Sequence, residues 1–100
     1  MSEMTLSRLD NYFVIKKQVE LYEQHNIDND ELSKAEHKRL CEELTALDNY
    51  IISITDETIK SIAIQRFIFK KKYQQIADYM KLSKGSVYRM LSQYIEKSHK

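Results

Sequence analysis

The sequence predicts an all-α fold, and three observations support this prediction. The 100-residue chain contains no proline and one glycine, so helices are rarely interrupted and hairpin turns lack their usual residues. Apolar residues recur at three- and four-residue steps, which is the period of a helix face. The hydrophobic content of 42% is ordinary for a helical protein, and the length allows one domain or a small module with a helical extension.

The first helix is predicted to run from about Thr5 to His25. One buried stripe is predicted from residues at helical spacing: Leu9, Tyr12, Ile15 or Lys16, Val19 and Tyr22. Phe13, Val14 and Leu21 are expected to widen that stripe. The polar segment 26–32 is predicted to be a loop.

The second helix is predicted to begin near Ser33, because Ser33 and Glu36 have the spacing of a capping box. Its apolar residues follow the heptad period of packed helices: Leu40, Leu44, Leu47, Ile51 and Ile54. We expect residues 1–54 to form a helical hairpin for dimerisation or protein contacts, which packs either on the C-terminal helices or on a second chain. The predicted dimer interface is Leu9, Tyr12, Val19, Leu40, Leu44, Leu47 and Ile51.

A third helix is predicted after residue 54, with Thr55 or Asp56 as its cap. Its inward side chains are predicted to be Ile59, Ile62, Ala63 and Phe67, and it is expected to end within residues 69–72. This helix is the first element of the second predicted unit, residues 55–100.

Residues 73–90, YQQIADYMKLSKGSVYRM, have the apolar spacing of a helix-turn-helix. The two helices are predicted over residues 73–80 and 84–97, with Ser83 capping the second. Ala77 is small at the point where the helices would cross. The other seam positions are apolar: Ile76, Met80, Val87 and Met90.

Two further expectations concern the predicted turn between these helices. Leu82 is expected to fill the turn. Lys81 occupies the position that glycine fills most often, so a left-handed backbone is expected at a non-glycine residue.

Charge divides the chain into two halves. Residues 60–100 contain ten Lys and Arg and two acidic residues, whereas residues 1–59 contain six Lys and Arg and thirteen acidic residues. The net charge of +1 conceals this division. A basic half beside an acidic half is typical of a protein that contacts phosphate at one end and protein or solvent at the other.

The predicted outward side of the last helix suits a DNA major groove, where Lys and Arg contact guanine edges and phosphates, and Gln and Ser contact base edges. Tyr88 fits either a thymine methyl or a phosphate there. The candidate DNA-binding residues of this helix and its cap are Ser83, Lys84, Gly85, Ser86, Tyr88, Arg89 and Gln93. Candidate phosphate contacts beside it are Lys70, Lys71, Lys72, Gln74 and Lys81. The three consecutive lysines also fit a solvated helix end.

Several classes of function are not expected. The longest apolar runs, residues 12–15 and 50–52, are far shorter than the ~20 residues of a membrane span. The N-terminus lacks the pattern of a signal peptide, and one cysteine fits the reducing cytoplasm, so we expect a cytoplasmic protein without membrane contact. His37 and Cys41 lie one turn apart without further zinc ligands or a third catalytic group, and they are expected to pack. We expect no enzyme, no metal site, no cofactor and no small-molecule substrate.

The segment 66–97, RFIFKKKYQQIADYMKLSKGSVYRMLSQYIEK, resembles region four of sigma-70-type factors, which reads the −35 promoter element. Its pattern also resembles small transcriptional regulators of phages and mobile elements of Gram-positive bacteria, including the RinA and ArpU-like late-gene activators. This resemblance implies that a helical segment for protein contacts precedes a helix-turn-helix that binds promoter DNA. It implies that the residues facing base edges are Lys84, Gly85, Tyr88, Arg89 and Gln93, and that Ser83 faces phosphate.

Two features separate the chain from a complete sigma factor. Sigma factors often carry an acidic or polar side chain where Gly85 stands, so the target need not resemble a −35 element. One hundred residues filled by a hairpin and a helix-turn-helix leave no room for the module that melts the −10 element. A contact with RNA polymerase is left open.

These observations predict a sequence-specific, DNA-binding transcriptional regulator that acts as a homodimer on double-stranded DNA. The first alternative is a protein-interaction module, such as an anti-repressor or an RNA-polymerase-binding factor, whose helix-turn-helix is a docking surface. The second is a DNA-packaging or recombination accessory protein, which would form rings or filaments. Steep salt dependence distinguishes a DNA binder from the first alternative, and mass in solution separates the second.

Overall fold

The computed structural model describes residues 4–25 and 31–97, and every regular element within these ranges is helical. The helices are α1 (Leu6–Asp10), α2 (Tyr12–His25), α3 (Glu31–Ser53), α4 (Glu57–Ala63), α5 (Tyr73–Met80) and α6 (Lys84–Lys97). A π-helical turn, Ile64–Ile68, continues α4. The prediction of an all-α fold is confirmed. No described helix combines the length and apolar composition needed to cross a membrane.

The predicted first helix consists of two helices that meet at Asn11. The Thr5 Oγ1 accepts a hydrogen bond from the Arg8 amide at 3.0 Å and caps α1. The Asn11 amide donates to the Arg8 carbonyl at 3.1 Å, which closes α1 with a tight turn. The helix resumes when the Ile15 amide donates to the Asn11 carbonyl at 2.9 Å.

The start of α3 differs from its predicted position. The helix begins at Glu31, two residues before the expected N-terminus, so Ser33 lies inside the first turn rather than at the cap. The predicted capping box at Ser33 is therefore wrong, and Glu36 pairs with Arg39 one turn further along the helix. Most of the predicted loop, residues 26–30, lies outside the described residues.

α2 and α3 pack as a hairpin whose apolar faces are buried within one chain. The Tyr12 hydroxyl near the start of α2 donates to Asp48 Oδ1 near the end of α3 at 2.6 Å, and Tyr22 lies beside His37 at the other end. Of the two alternatives for the stripe, Ile15 is buried and Lys16 is exposed.

The residues assigned to a dimer interface lie in this interior instead. Six of them are 0–6% exposed and the seventh, Leu44, packs against the same core: Leu9, Tyr12, Val19, Leu40, Leu44, Leu47 and Ile51. Helices from the same chain already cover them, so the assignment of these side chains to a dimer interface is corrected. They belong to one hydrophobic core that continues into the C-terminal helices.

The predicted widening of the α2 stripe is wrong. Val14 and Leu21 are each 53% exposed, while Phe13 is half-buried. A helix turns about 100° per residue, so side chains that precede a buried position by one residue lie well to the side of the stripe. The side of α2 that contacts α3 is fully occupied by Tyr12, Ile15 and Val19.

The third predicted helix is confirmed as α4 and its π-helical turn. Of the two proposed caps, Asp56 is the one observed, since its Oδ1 accepts from the Ile59 amide at 3.1 Å. The inward side chains Ile62, Ala63 and Phe67 are buried, with exposures of 0–3%, and Ile59 is half-buried. These side chains join the hairpin to α5 and α6.

Candidate nucleic-acid interface

α5 and α6 begin and end where the sequence predicts, and residues 81–83 form the turn between them. Lys81 adopts the expected left-handed backbone, with φ 60° and ψ 42°. The Leu82 amide donates to the Ala77 carbonyl at 2.9 Å, so the left-handed residue closes the end of α5. This conformation reverses the chain within three residues and sets where α6 starts.

Ser83 is the N-cap of α6, as predicted. Its Oγ accepts a hydrogen bond from the Ser86 amide at 3.1 Å and contacts the Ser86 hydroxyl at 2.8 Å. Both hydroxyls therefore hold the first turn of α6, and Ser86 is half-buried. Ser83 remains exposed.

The side chains at the centre of the seam between α5 and α6 are fully buried. Ile76, Ala77 and Val87 are 0% exposed, and the half-buried Met80 and Met90 flank them. Leu82 does not fill the turn as predicted, because it is 38% exposed. The three central side chains already occupy the space between the helices.

The opposite side of α6 is open to solvent and basic. Gly85, Arg89 and Gln93 are exposed there, and Lys84 is exposed at the start of the helix. The acidic Glu96 is exposed on the same side, two turns after Arg89. No acidic residue lies between Lys84 and Gln93 in the sequence. A Cβ added to Gly85 would meet no atom within 4 Å, so contacts within the chain do not require glycine at this position.

Lys70, Lys71 and Lys72 lie in a loop rather than at the end of a helix, because the π-helical turn ends at Ile68. All three are exposed, and Lys70 has a left-handed backbone with φ 54°, which the sequence did not suggest. The Lys70 Nζ lies 4.3 Å from the centre of the Phe13 ring on α2. The loop therefore presents three cations between the hairpin and the start of α5.

Lys81 and Gln74, the other predicted phosphate contacts, differ in their surroundings. Lys81 is exposed in the turn, next to the start of α6. Gln74 is exposed on α5, but its side-chain amide donates to Asp78 Oδ1 at 2.9 Å. Gln74 would have to exchange this hydrogen bond for a phosphate contact.

Arg66, Tyr73 and Tyr88 form a stack that sequence reasoning missed. The Arg66 guanidinium carbon lies 4.3 Å from the centre of the Tyr73 ring, and the Tyr73 and Tyr88 rings meet edge to face at 5.5 Å. Burial raises the pKa of the Tyr73 hydroxyl, so this ring is neutral at physiological pH. The three positions come from separate elements, and no local spacing in the sequence indicates that they meet.

Tyr79 is the most exposed of the tyrosines outside α6. It is 72% exposed on α5, and the Lys71 Nζ lies 5.9 Å from its ring centre. Of the others, Tyr12 is buried, and four are half-buried: Tyr22, Tyr50, Tyr73 and Tyr94.

His37 and Cys41 lie together in the hairpin, far along the chain from the basic face. The His37 Nε2 is 3.5 Å from the Cys41 Sγ and 3.8 Å from a Glu23 carboxylate oxygen, and the His37 ring packs beside Tyr22. Within residues 4–25 and 31–97, no group of three or more His, Cys, Asp or Glu side chains is placed to hold a metal ion.

Comparisons of the chain with protein-family models, with curated proteins and with solved structures found no match. A function for the exposed face of α6 therefore has to follow from its own chemistry. That face combines a rigid helix, a short turn and several cations in one half of the molecule.

Proposed function

We propose that this protein is a sequence-specific DNA-binding transcriptional regulator that inserts α6 into the major groove of double-stranded DNA. One observation carries this proposal: the first ten residues of α6 contain the exposed cations Lys84 and Arg89 and the exposed Gln93, and no acidic residue. The tight turn at Lys81 and the dry seam fix this side relative to α5. Both features support the proposal that α5 and α6 act as a helix-turn-helix that reads DNA.

The dimensions and chemistry of α6 suit the groove. A helix of 14 residues is roughly 21 Å long, and the major groove, about 12 Å wide, admits an α-helix. Arg89 would pair with guanine O6 and N7 or with a phosphate, and Lys84 would contact a base edge or a phosphate at the start of the helix. Gly85 would let the backbone approach the DNA closely.

The residues outside α6 would fix its position on the duplex. Phosphate contacts orient a DNA-binding protein without reading sequence. The exposed lysines of the 69–72 loop and Lys81 in the turn lie at the two ends of α5 and are candidates for this role. The fixed cap at Ser83 adds the amide end of α6, which favours an anion.

A single inserted helix contacts only a few base pairs, so we extend the proposal to a homodimer on paired half-sites in the cytoplasm. The apolar stripe of the hairpin is buried in the core of one chain. A second copy of the protein would therefore bind to another part of the surface. RNA polymerase is a further proposed partner, which follows from the sigma-like pattern of residues 66–97.

A protein-interaction module is the second candidate, and one observation favours it. An open groove of about 480 Å³ runs between α4 and α5, and exposed aromatic side chains of Phe69 and Tyr79 line it. Phe69 is 63% exposed and Tyr79 is 72% exposed, so two exposed aromatic rings lie in one groove. An anti-repressor or a polymerase-binding factor would use such a surface.

Selection from random duplex DNA at near-physiological salt tests the proposal. An enriched motif with two inverted half-sites supports a dimeric regulator, and a single motif supports a partner of polymerase. No enrichment contradicts DNA recognition and favours the interaction module. Binding to the enriched DNA should weaken steeply as salt rises, because each phosphate contact releases counterions, whereas an apolar docking interface loses little.

A further inference from the structure

Tyr88 carries an aromatic ring that is half-exposed and yet held in place. Its side chain is 47% exposed on α6, one turn after Lys84 and next to Arg89. Its ring meets the Tyr73 ring edge to face, with centroids 5.5 Å apart and an interplanar angle of 79°. Aromatic pairs prefer this geometry, so the Tyr88 ring has a defined orientation beside the proposed recognition face.

Tyr73 is itself fixed from its other side. The Arg66 guanidinium lies over the Tyr73 ring at 4.3 Å, and Arg66 Nη1 donates to the Lys71 carbonyl oxygen at 3.0 Å. Arg66 Nε also lies 3.9 Å from Asp10 Oδ1 on α1. The orientation of the Tyr88 ring therefore depends on a series of contacts that reaches back to α1.

A fixed aromatic surface on a groove-reading helix has few possible partners. Base edges in the major groove present hydrogen-bond donors and acceptors, and the one apolar group among them is the C5-methyl group of thymine. Burial of the exposed half of an aromatic ring is favourable against an apolar group, and the thymine methyl is the apolar group that the major groove offers. The tyrosine hydroxyl alone would instead contact a phosphate oxygen.

We propose that Tyr88 is a specificity-determining residue that packs on the methyl group of one thymine, and that Tyr73 and Arg66 are positioning residues for its ring. This inference rests on the proposed function, because it requires α6 to enter the major groove. Burying one methyl group corresponds to about a fourfold change in binding constant.

A thymine-to-uracil scan of the selected DNA tests the proposal. Deoxyuridine lacks only the C5-methyl group, so each replacement removes one apolar contact and leaves all hydrogen bonds in place. We expect about a fourfold loss of affinity at one thymine per half-site and little change at the others. A scan without any loss, or a selected sequence without thymine, overturns the proposal.

Variants then identify the side chain that senses the methyl group. For each variant, the affinity for the thymine-containing DNA is divided by the affinity for the uracil-containing DNA. A general loss of folding or affinity cancels in this thymine-to-uracil ratio. Tyr88→Ala should abolish the ratio, whereas Tyr88→Phe should keep it because the ring remains. A ratio that survives Tyr88→Ala, or that disappears in Tyr88→Phe, contradicts a ring-to-methyl contact.

The positioning residues are tested by the same ratio. Tyr73→Leu and Arg66→Ala should reduce it, and Tyr73→Phe should restore it, because a phenylalanine edge supports the Tyr88 ring equally well. Tyr79→Ala is the matched control, since Tyr79 is 72% exposed on α5 and lines the groove beside α4. An unchanged ratio in Tyr73→Leu would show that Tyr73 does not position the Tyr88 ring. Failure of the proposed function is distinguishable, because no DNA would then be enriched at the start.

Discussion

The guanidinium of Arg8 makes two hydrogen bonds with the carboxylate of Glu43, and these bonds join α1 to α3. Arg8 Nε lies 3.0 Å from Glu43 Oε2, and Arg8 Nη2 lies 2.7 Å from Glu43 Oε1. Both side chains are about three-quarters covered, with exposures of 22% and 26%. Paired hydrogen bonds between charged groups are the strong class, and this pair fixes the short α1 helix against the hairpin.

Replacing Glu43 with Gln should make the protein less stable at neutral pH and equally stable in acid. The hydrogen bonds from Arg8 lower the pKa of the Glu43 carboxyl below its ordinary value of 4.5. The stabilisation is therefore fully present above the unfolded-state pKa and is lost as the pH falls through the folded-state value. We expect a difference of about 1 kcal/mol in the free energy of unfolding at pH 7, since partial exposure weakens the pair.

Urea unfolding at pH 7 and pH 3 measures this difference. Glu42→Gln is the matched control, because Glu42 is the exposed neighbour on the same helix. A Glu43→Gln effect that stays constant down to pH 3 would show that the pair contributes no charge-dependent stability.

Tyr12 should ionise well above the ordinary pKa of a tyrosine. Burial raises the pKa of the Tyr12 hydroxyl to about 12, and its hydrogen bond to Asp48 acts in the same direction. Because the folded-state value exceeds the ordinary value of 10, the stabilisation is present below pH 10 and declines towards pH 12. Ultraviolet titration of the native protein should contain one late transition, which disappears in Tyr12→Phe. Tyr79→Phe, at an exposed site, should leave that transition in place.

Leu47 tests whether the hairpin stripe is an internal core. It is 0% exposed in the single chain, so Leu47→Ala should cost about 2–5 kcal/mol of stability. Leu47→Ala should leave the mass of the folded protein in solution unchanged, because the contacts of Leu47 lie within one chain. Leu21→Ala, at a position 53% exposed, is the control and should change stability by less than about 0.5 kcal/mol. A Leu47→Ala variant that stays folded but changes from the mass of a dimer to that of a monomer would restore the stripe to a subunit interface.

Periodicity predicted the helices well because each helix buries one face. The bounds of α5 and α6, the Ser83 cap and the left-handed Lys81 all follow from local spacing and cap chemistry. The same reasoning assigned Val14 to the core, because periodicity alone does not limit how wide a buried face is. Periodicity also does not show whether an apolar stripe packs against helices of the same chain or against a second chain.

Contacts between distant segments were beyond prediction from the sequence. The stack of Arg66 on Tyr73 and of Tyr73 on Tyr88 depends on how the loop of residues 69–72 returns the chain. The left-handed Lys70 sets that path, and nothing in three consecutive lysines indicates it. The exposed basic residues of α6 were predictable, whereas the support beneath Tyr88 was not.

Lys81 should be a position where glycine stabilises the fold and weakens DNA binding. Its φ of 60° costs energy for a residue with a Cβ, so Lys81→Gly should raise the free energy of unfolding by roughly 0.5–1 kcal/mol. Lys81→Ala keeps the Cβ and should have little effect on stability. Both variants should bind DNA more weakly and with a smaller salt slope if Lys81 contacts phosphate. Thermal unfolding and salt titrations of affinity separate the backbone effect from the charge effect.

Arg89 and Lys84 decide whether the exposed side of α6 is the recognition face. Arg89→Ala should cost roughly 1–3 kcal/mol of binding free energy on the selected DNA if Arg89 pairs with a base, and less if it contacts phosphate. A base contact should also relax the preference at one position of the motif, whereas a phosphate contact should weaken all sequences equally. Both side chains are exposed, so neither change should alter thermal stability by more than about 0.5 kcal/mol.

Lys34→Ala is the matched control for these two variants, because it removes an exposed lysine from α3 in the acidic half of the chain. Its affinity should equal that of the unmodified protein at every salt concentration tested. Unchanged affinity in both Arg89→Ala and Lys84→Ala would mean that the recognition face is on another side of the molecule. Loss in Arg89→Ala alone, with a relaxed motif position, would assign that position to the Arg89 guanidinium and orient α6 in the groove.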